Sequence, residues 1–317
     1  MDDTRSFLES IGLPPGDPSS LPESTKRFPD GAAFRIEIPS TEGPRSLEAV
    51  LDEATRREVP VHRVSQGSGS FLLTDAELDE MVALAAAAQV EVSLFAQPTA
   101  AWQPSASARS DGGGAVAGSS YGQEGLVFAL DDIRRSATHG IRSVLITDIG
   151  LLSAFDAARK AGVLPADMQA KMSVAFPIAN PGTARVLEGL GANTLNLVTD
   201  LSLAQIAAIR AAVDAPIDFY IESPDNLGGF VRLYELAELI RVAAPVYAKF
   251  GLRNAPNLYP SGTHLEATAV ALSRERVRRA QLAMGMLERS GRPVEISERG
   301  ALGLAVPVPV GDAIRRT

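Results

Sequence analysis

The chain has no cysteine. Disulfides, thiolate nucleophiles, cysteine-ligated zinc and cysteine-held iron–sulfur clusters are therefore excluded. Histidine is scarce, with three in 317 residues and no HxH or HExxH arrangement, so a zinc site of the usual kind is not expected. Positive charge is in deficit: net charge is −8 and the sequence pI is about 5.1. A broad nucleic-acid surface needs clustered Lys and Arg and is disfavoured, although a local basic pocket is not. No apolar run reaches the ~18 residues of a membrane span. The N-terminal MDDTRSFLESIG is acidic and lacks the apolar stretch of a secretory signal. A cytoplasmic location is the expectation. No GxGxxG follows the first strand and no P-loop occurs; QGSGS (66–70) reads as a turn.

What the chain does have is an ordinary globular composition, 45% hydrophobic and 21% charged. From residue 33 onward strand and helix patterns alternate. AAFRIEIP, VHRVSQ, VEVSLFAQ, IRSVLITD, AKMSVAFPI, TLNLVTD, PIDFYIES and PVYAKFGL read as strands. Helical patterns such as SLEAVLDEATRRE and TDAELDEMVALAAAAQ lie between them, the latter opened by Thr74 and Glu77 in capping-box spacing. Eight such units, strand first, predict an α/β protein with a single (β/α)8 TIM barrel rather than an open doubly wound sheet. The barrel is expected over 33–290, after a Pro- and Ser-rich N-terminal extension (1–32) and before a C-terminal tail (291–317) that crosses the barrel. The interval 98–125, with Trp102 and Tyr121 near its ends, exceeds the ~12–15 residues of an ordinary loop. It is expected to hang over the mouth, either as a lid or as disordered chain.

Barrel strands alternate between side chains facing the helices and side chains facing the interior. Placing Phe34, Ile36 and Ile38 under the helices turns Arg35 and Glu37 inward. The same logic turns in Arg63 and Ser65, Ser93 and Gln97, Thr147 with Asp148 at the strand exit, Asn196, Tyr220 and Glu222, and Tyr247 and Lys249. Barrel interiors are ordinarily filled by branched apolar residues, and an unpartnered buried charge costs several kcal/mol. Two readings account for so many polar positions: an ion-pair network plugging the barrel, or an active site at the C-terminal mouth. The first, eighth and seventh strands become neighbours on closure, which predicts Glu37, Lys249 and Glu222 side by side. A lysine between carboxylates stays charged. Lys249 is therefore expected to clamp an anion or an enolate rather than to form a Schiff base. Glu222 and Glu37 are the proton-transfer candidates, with Arg63, Arg35 and Arg253 as further anion holders. Asn196, Gln97, Tyr220, Tyr247 and Asn254 would orient the substrate, and Asp148 lies within reach of it.

His62 alternates toward the helix layer, and a strand bulge would reverse that; a functional and a structural reading both stand. His139 reads as a helix C-terminal cap, and His264, after the strand-eight loop, either reaches the mouth or begins the last helix. No cofactor is predicted. Glu37, Asp148 and Glu222 holding Mg²⁺ or Mn²⁺ is the less favoured arrangement, because Asp148 comes from across the barrel. SPDNLGGF after the seventh strand places Gly228 and Gly229 where barrels often bind phosphate, but a turn before a helix is the favoured reading and Asp225 opposes an anion.

HRVSQGSG, SPDNLGGFVRLYELAELIRVAAPVY and KFGLRNAPNLYPSGTHLE resemble bacterial barrel proteins grouped with the U32 peptidase-like family, over roughly residues 33 to 290. The resemblance implies a TIM-barrel fold and a peptidase, collagenase-like, or RNA- or cofactor-modifying activity. The family's cysteine-containing signature is absent, so its iron–sulfur branches are excluded and no catalytic residue carries over. Three functions are expected from the residues: an enzyme acting on a small anionic metabolite by acid/base chemistry (lyase, isomerase or hydrolase); a peptidase with Glu222 holding the hydrolytic water; or a non-catalytic binding barrel. The partner expected is a small molecule, with neither nucleic acid nor membrane involved, and a homo-oligomer is compatible with the sequence.

Overall fold

The computed structural model describes residues 2–96, 105–106 and 118–310. Eight parallel strands close into a barrel in chain order: β1 (Phe34–Pro39), β2 (Val61–Ser65), β3 (Glu91–Phe95), β4 (Ser143–Ile146), β5 (Gln169–Met172), β6 (Thr194–Asn196), β7 (Ile217–Glu222) and β8 (Val246–Phe250). After α1 (Asp2–Ser10), the strands alternate with α2 (Pro44–Arg56), α3 (Asp75–Ala88), α4 (Gly122–Thr138), α5 (Ile149–Lys160), α6 (Pro181–Gly189), α7 (Leu203–Ala212), α8 (Leu236–Ala243) and α9 (Glu266–Arg289). The protein is a (β/α)8 barrel.

Two cores follow from the strand period of two. Ile36, Ile38, Val64, Val92, Leu94, Met172, Phe219, Ile221, Ala248 and Phe250 point outward and are buried beneath the helices. That apolar shell holds the helices in place at roughly 25 cal/mol per Å² of surface removed from water. The inward residues are mostly polar and form the second core. Helix starts are set locally: Thr74 with Glu77 and Ser202 with Gln205 form capping boxes at α3 and α7. Among the described residues, no helix is long and apolar enough to cross a membrane.

The chain after α9 crosses the N-terminal end of the barrel. Ile296 bridges Phe34. Ala305 N donates to Glu91 (3.2 Å), and Val308 N donates to the Gly140 carbonyl (2.8 Å). Arg35 holds this strap from inside, donating to Ser297 Oγ (2.9 Å), the Leu302 carbonyl (2.7 Å) and the Tyr247 hydroxyl (3.2 Å). It also stacks on Phe28, 4.1 Å from the ring centroid, and pairs with Asp30 at 3.5 Å.

His62 fills a register shift between β1 and β2, at Ile36/Glu37. Its Nδ1 accepts from Ile36 N (3.0 Å) and its Nε2 donates to the Ser297 carbonyl (2.7 Å), which together define a neutral ring. Burial lowers its pKa to about 4. The unfolded chain takes up this proton near pH 6.5, so the folded state loses stability as pH falls from there through 4. The loss is roughly 3 kcal/mol when complete. His62→Gln should therefore show a flatter decline in urea midpoint between about pH 7 and about pH 4 than the wild type. Equal declines would show that His62 is not the titrating group.

Candidate functional site

From the closed end to the mouth, the barrel interior is a ladder of paired charges. Tyr247 lies lowest, with the Arg63 guanidinium 3.5 Å from its ring centroid. Arg63 Nε donates to Glu37 Oε2 at 2.6 Å, and its Nη groups reach Asp218 (3.2 Å) and Glu91 (3.6 Å). Lys171 bridges Glu37, in close contact, and Asp218 at 2.5 Å. Lys249 meets Glu37 Oε1 at 3.1 Å, and Ser65 donates to the same oxygen at 2.7 Å. Glu37, Glu91 and Asp218 thus balance Arg63, Lys171 and Lys249, all buried. Pairing of this kind is what makes such burial tolerable.

The titrations follow from that geometry. Burial opposes the charge of Glu37, but Arg63, Lys171 and Lys249 outweigh it and hold the carboxyl well below its ordinary range. Burial works against Lys249 as well, yet Glu37, then Tyr220 and Asp218, raise it above the ordinary lysine value. Lys171 goes the other way: burial, then the adjacent Arg63, bring it down to about 7 against the pull of Asp218 and Glu37. The two lysines on one carboxylate oxygen therefore differ, Lys249 keeping its proton while Lys171 exchanges it near neutrality.

Above the ladder, at the C-terminal ends of the strands, opens a cavity of about 210 Å³. Lys249, Tyr220, Ser65, Ser173, Phe95 and Tyr259 line it. The Lys249 ammonium sits 4.7 Å from the centroid of the Tyr220 ring. Burial raises the Tyr220 hydroxyl above its ordinary value, so both groups present protons to the cavity.

The structure separates several residues that alternation had grouped. Glu222 does not join Lys249. A register shift between Tyr220 and Glu222 turns it out of the barrel, where Oε1 accepts from Arg253 N (3.0 Å) and Oε2 lies 3.4 Å from Arg279 Nε of α9. Arg35 and Tyr247 do face inward, but at the closed end, committed to the C-terminal strap. His62 is likewise committed there. Asp148 caps α5, accepting from Leu151 N (2.7 Å) and Ser120 N (3.0 Å). Arg253 is exposed at the rim, 3.9 Å from Asp225, and Asn254 is exposed beside it in a left-handed turn with φ 56°. Asn196 is inward and fully buried, and neither amide atom has a hydrogen-bond partner among the described residues. Gln97 and most of the 98–125 interval, including Trp102, lie outside the described residues.

The carboxylates considered for Mg²⁺ or Mn²⁺ are apart: Glu37 serves three cations, Asp148 a helix cap and Glu222 an arginine behind the strand. Among the described residues, no group of three His, Asp or Glu side chains is placed to hold a metal ion. QGSGS is a turn in which the backbone N–H groups of Gly67 and Ser68 are taken by Glu42, at 2.8 and 3.1 Å. Lys171, Asp218 and Glu91 belong to the ladder and were missed by the sequence reading. The period-two rule contained them, since each alternates with an apolar residue in its strand: Ala170 and Met172, Ile217 and Phe219, Val90 and Val92.

Fold and site together define a (β/α)8 barrel with a charge-filled interior and a cavity at its C-terminal mouth. No protein-family model and no curated protein matches the chain. Among solved structures it is similar to the U32 peptidase Mk0906, at 14% identity and a TM-score of 0.40, covering 63% of this chain and 73% of that one. It is also similar to the native KDPGal structure (13%, TM-score 0.43, 83% of this chain and 99% of that one). A third is the carboxyl transferase domain of Rhizobium etli pyruvate carboxylase (11%, TM-score 0.44, 97% and 52%). These likenesses concern fold, and no residue role is taken from them.

Proposed function

We propose that the protein is an enzyme that binds a small anionic metabolite at the C-terminal mouth and acts on it by acid/base chemistry. The observation that carries this reading is the Lys249 side chain, paired with Glu37 and set 4.7 Å from the Tyr220 ring centroid, on the wall of a 210 Å³ cavity. A fixed donor pair of this kind stabilises negative charge developing on a carbonyl or carboxylate oxygen. Lys249 is the charge stabiliser and Tyr220 the proton donor, with Ser65 and Ser173 orienting the substrate. Lys171 shares Glu37 Oε1 with Lys249 and exchanges its proton near neutral pH, so it supplies a proton reservoir beneath the cavity. The cavity is smaller than the ~300–1,000 Å³ of drug-sized ligands, which favours a compact metabolite over a peptide. Hydrolysis of peptides through Glu222 is not favoured, because that carboxylate faces α9.

A non-catalytic barrel is the competing reading, favoured by the internal pairing of the charge ladder. A metabolite library screened by thermal shift, followed by product detection by NMR, separates the two. The expected result is that small carboxylates or acyl phosphates raise Tm where uncharged analogues do not, since a ligand at ~100 times its Kd adds about 2.7 kcal/mol. Stabilisation by uncharged analogues alone would overturn the site. Anion binding without turnover of any bound compound would favour the binding barrel.

A further inference from the structure

Beside the mouth, on the β7–β8 side, lies a second chamber of about 280 Å³. Arg276 of α9 forms one wall, and Asn257 and Asp225 are among the other lining residues. Ser40, Pro224, Asn226 and Tyr259 line both chambers, so the two share a wall. The partition is Tyr259, whose hydroxyl is hydrogen-bonded to Ser40 Oγ. Its ring lies so close over the β2 loop that a Cβ at Gly67 would sit 2.4 Å from it.

Arg276 is 4% exposed. Its Nη1 donates to the Ser40 carbonyl at 3.2 Å, and its Nε is buried without a hydrogen-bond partner. No described carboxylate forms an ion pair with it. Glu42, which acts on it electrostatically, spends both oxygens on the Gly67 and Ser68 backbone. Asp225 is engaged by Asn254 N (2.5 Å) and faces Arg253 (3.9 Å). The cations inside the barrel differ: Arg35, Arg63, Lys171 and Lys249 each have a carboxylate within ion-pair reach. A buried guanidinium with no carboxylate in ion-pair contact is costly, and one that lines a cavity is poised to receive an anion.

We propose that Arg276 is the anion-holding group of this side chamber, and that the substrate carries two anionic groups. One meets Lys249 in the mouth, and the second, a carboxylate or phosphate, meets Arg276 past Tyr259. The two-headed substrate rests on the mouth-site reading above; the anion subsite at Arg276 does not.

Calorimetric titration at constant ionic strength tests it, using inorganic phosphate, butyrate, and a dicarboxylate series from succinate to adipate. Wild type, Arg276→Gln, Arg276→Lys and Lys249→Met are compared. Phosphate affinity should fall at least about tenfold in Arg276→Gln, recover in part in Arg276→Lys and persist in Lys249→Met, as expected for a charge-assisted hydrogen bond. At least one dicarboxylate should bind wild type more tightly than butyrate, and Arg276→Gln should abolish that preference while the Lys249-dependent part of butyrate binding remains. A purely structural Arg276 would not move this selectivity. Because Arg276→Gln removes an unpaired buried charge, it should remain folded; should it not, Arg276→Lys alone carries the comparison. Phosphate binding absent from wild type, or unaffected by either substitution at Arg276, overturns the proposal. Loss of butyrate binding in wild type, with Arg276-dependent phosphate binding intact, overturns the mouth-site reading alone.

Discussion

Glu37→Gln is expected to destabilise the protein by about 3–5 kcal/mol, the range for removing one partner of a buried ion pair. Glu37 is fully buried and accepts from Arg63, Lys171, Lys249 and Ser65. A glutamine of the same shape keeps the packing but returns an amide N–H₂ toward three cations and leaves a net positive interior. The measurement is the urea midpoint at unchanged slope. A second variant isolates the cause. Adding Lys171→Met removes the excess cation, so the double variant should be less destabilised than the sum of the two single changes. Contacting charges couple by about 0.5–3 kcal/mol in such cycles. An unchanged midpoint in Glu37→Gln, or strict additivity in the cycle, would mean that the ladder is not the charge-balanced unit described here.

Lys249→Met should have the largest effect on function and a small one on stability. Glu37 keeps Arg63, Lys171 and Ser65, so its carboxylate is not orphaned. Methionine fills most of the volume of the lost stem. Turnover of the metabolite identified by screening should fall about 10²–10³-fold, the usual consequence of removing one fixed donor to a developing oxyanion. The pH profile should move as well. Lys249 is one of the charges that depress Lys171, so its removal lets Lys171 hold its proton to higher pH. Any inflection in kcat near neutral pH should then shift upward. Near wild-type turnover in a folded Lys249→Met protein would remove the mouth cation from the mechanism.

The wrong grouping of Glu222 with Lys249 shows where sequence reasoning stops. Strand order and pleat predicted their proximity correctly in principle, because β7 and β8 are neighbours in the closed barrel. A local register shift between Tyr220 and Glu222 turned one side chain through the sheet. The shift at Ile36/Glu37 did the same kind of work for His62, whose ring took over an acceptor position for Ile36 N. Such shifts have no period of their own and leave no trace in the hydrophobic pattern. Asp148 was a different error: an Asp immediately before a helix is a cap by default, and its Oδ1 caps α5 while Oδ2 accepts from Ser120 N.

By itself the sequence determined the barrel, because eight period-two runs alternating with amphipathic helices can bury their apolar faces together in one closed way. It also determined that Glu37, Arg63, Tyr220 and Lys249 face the interior, and the same rule held Lys171, Asp218 and Glu91, since side-chain direction in a strand is a local property. Depth along the barrel axis was decided only by the tertiary structure. Closure staggers the strands, so Arg35 and Tyr247 came to lie under the C-terminal strap while Tyr220 and Lys249 came to line the cavity. The placing of Arg276 in α9 against a chamber beside the exits of β7 and β8 is of the same kind. It depends on how a helix near the end of the chain packs against strands distant in sequence, and no local pattern records that.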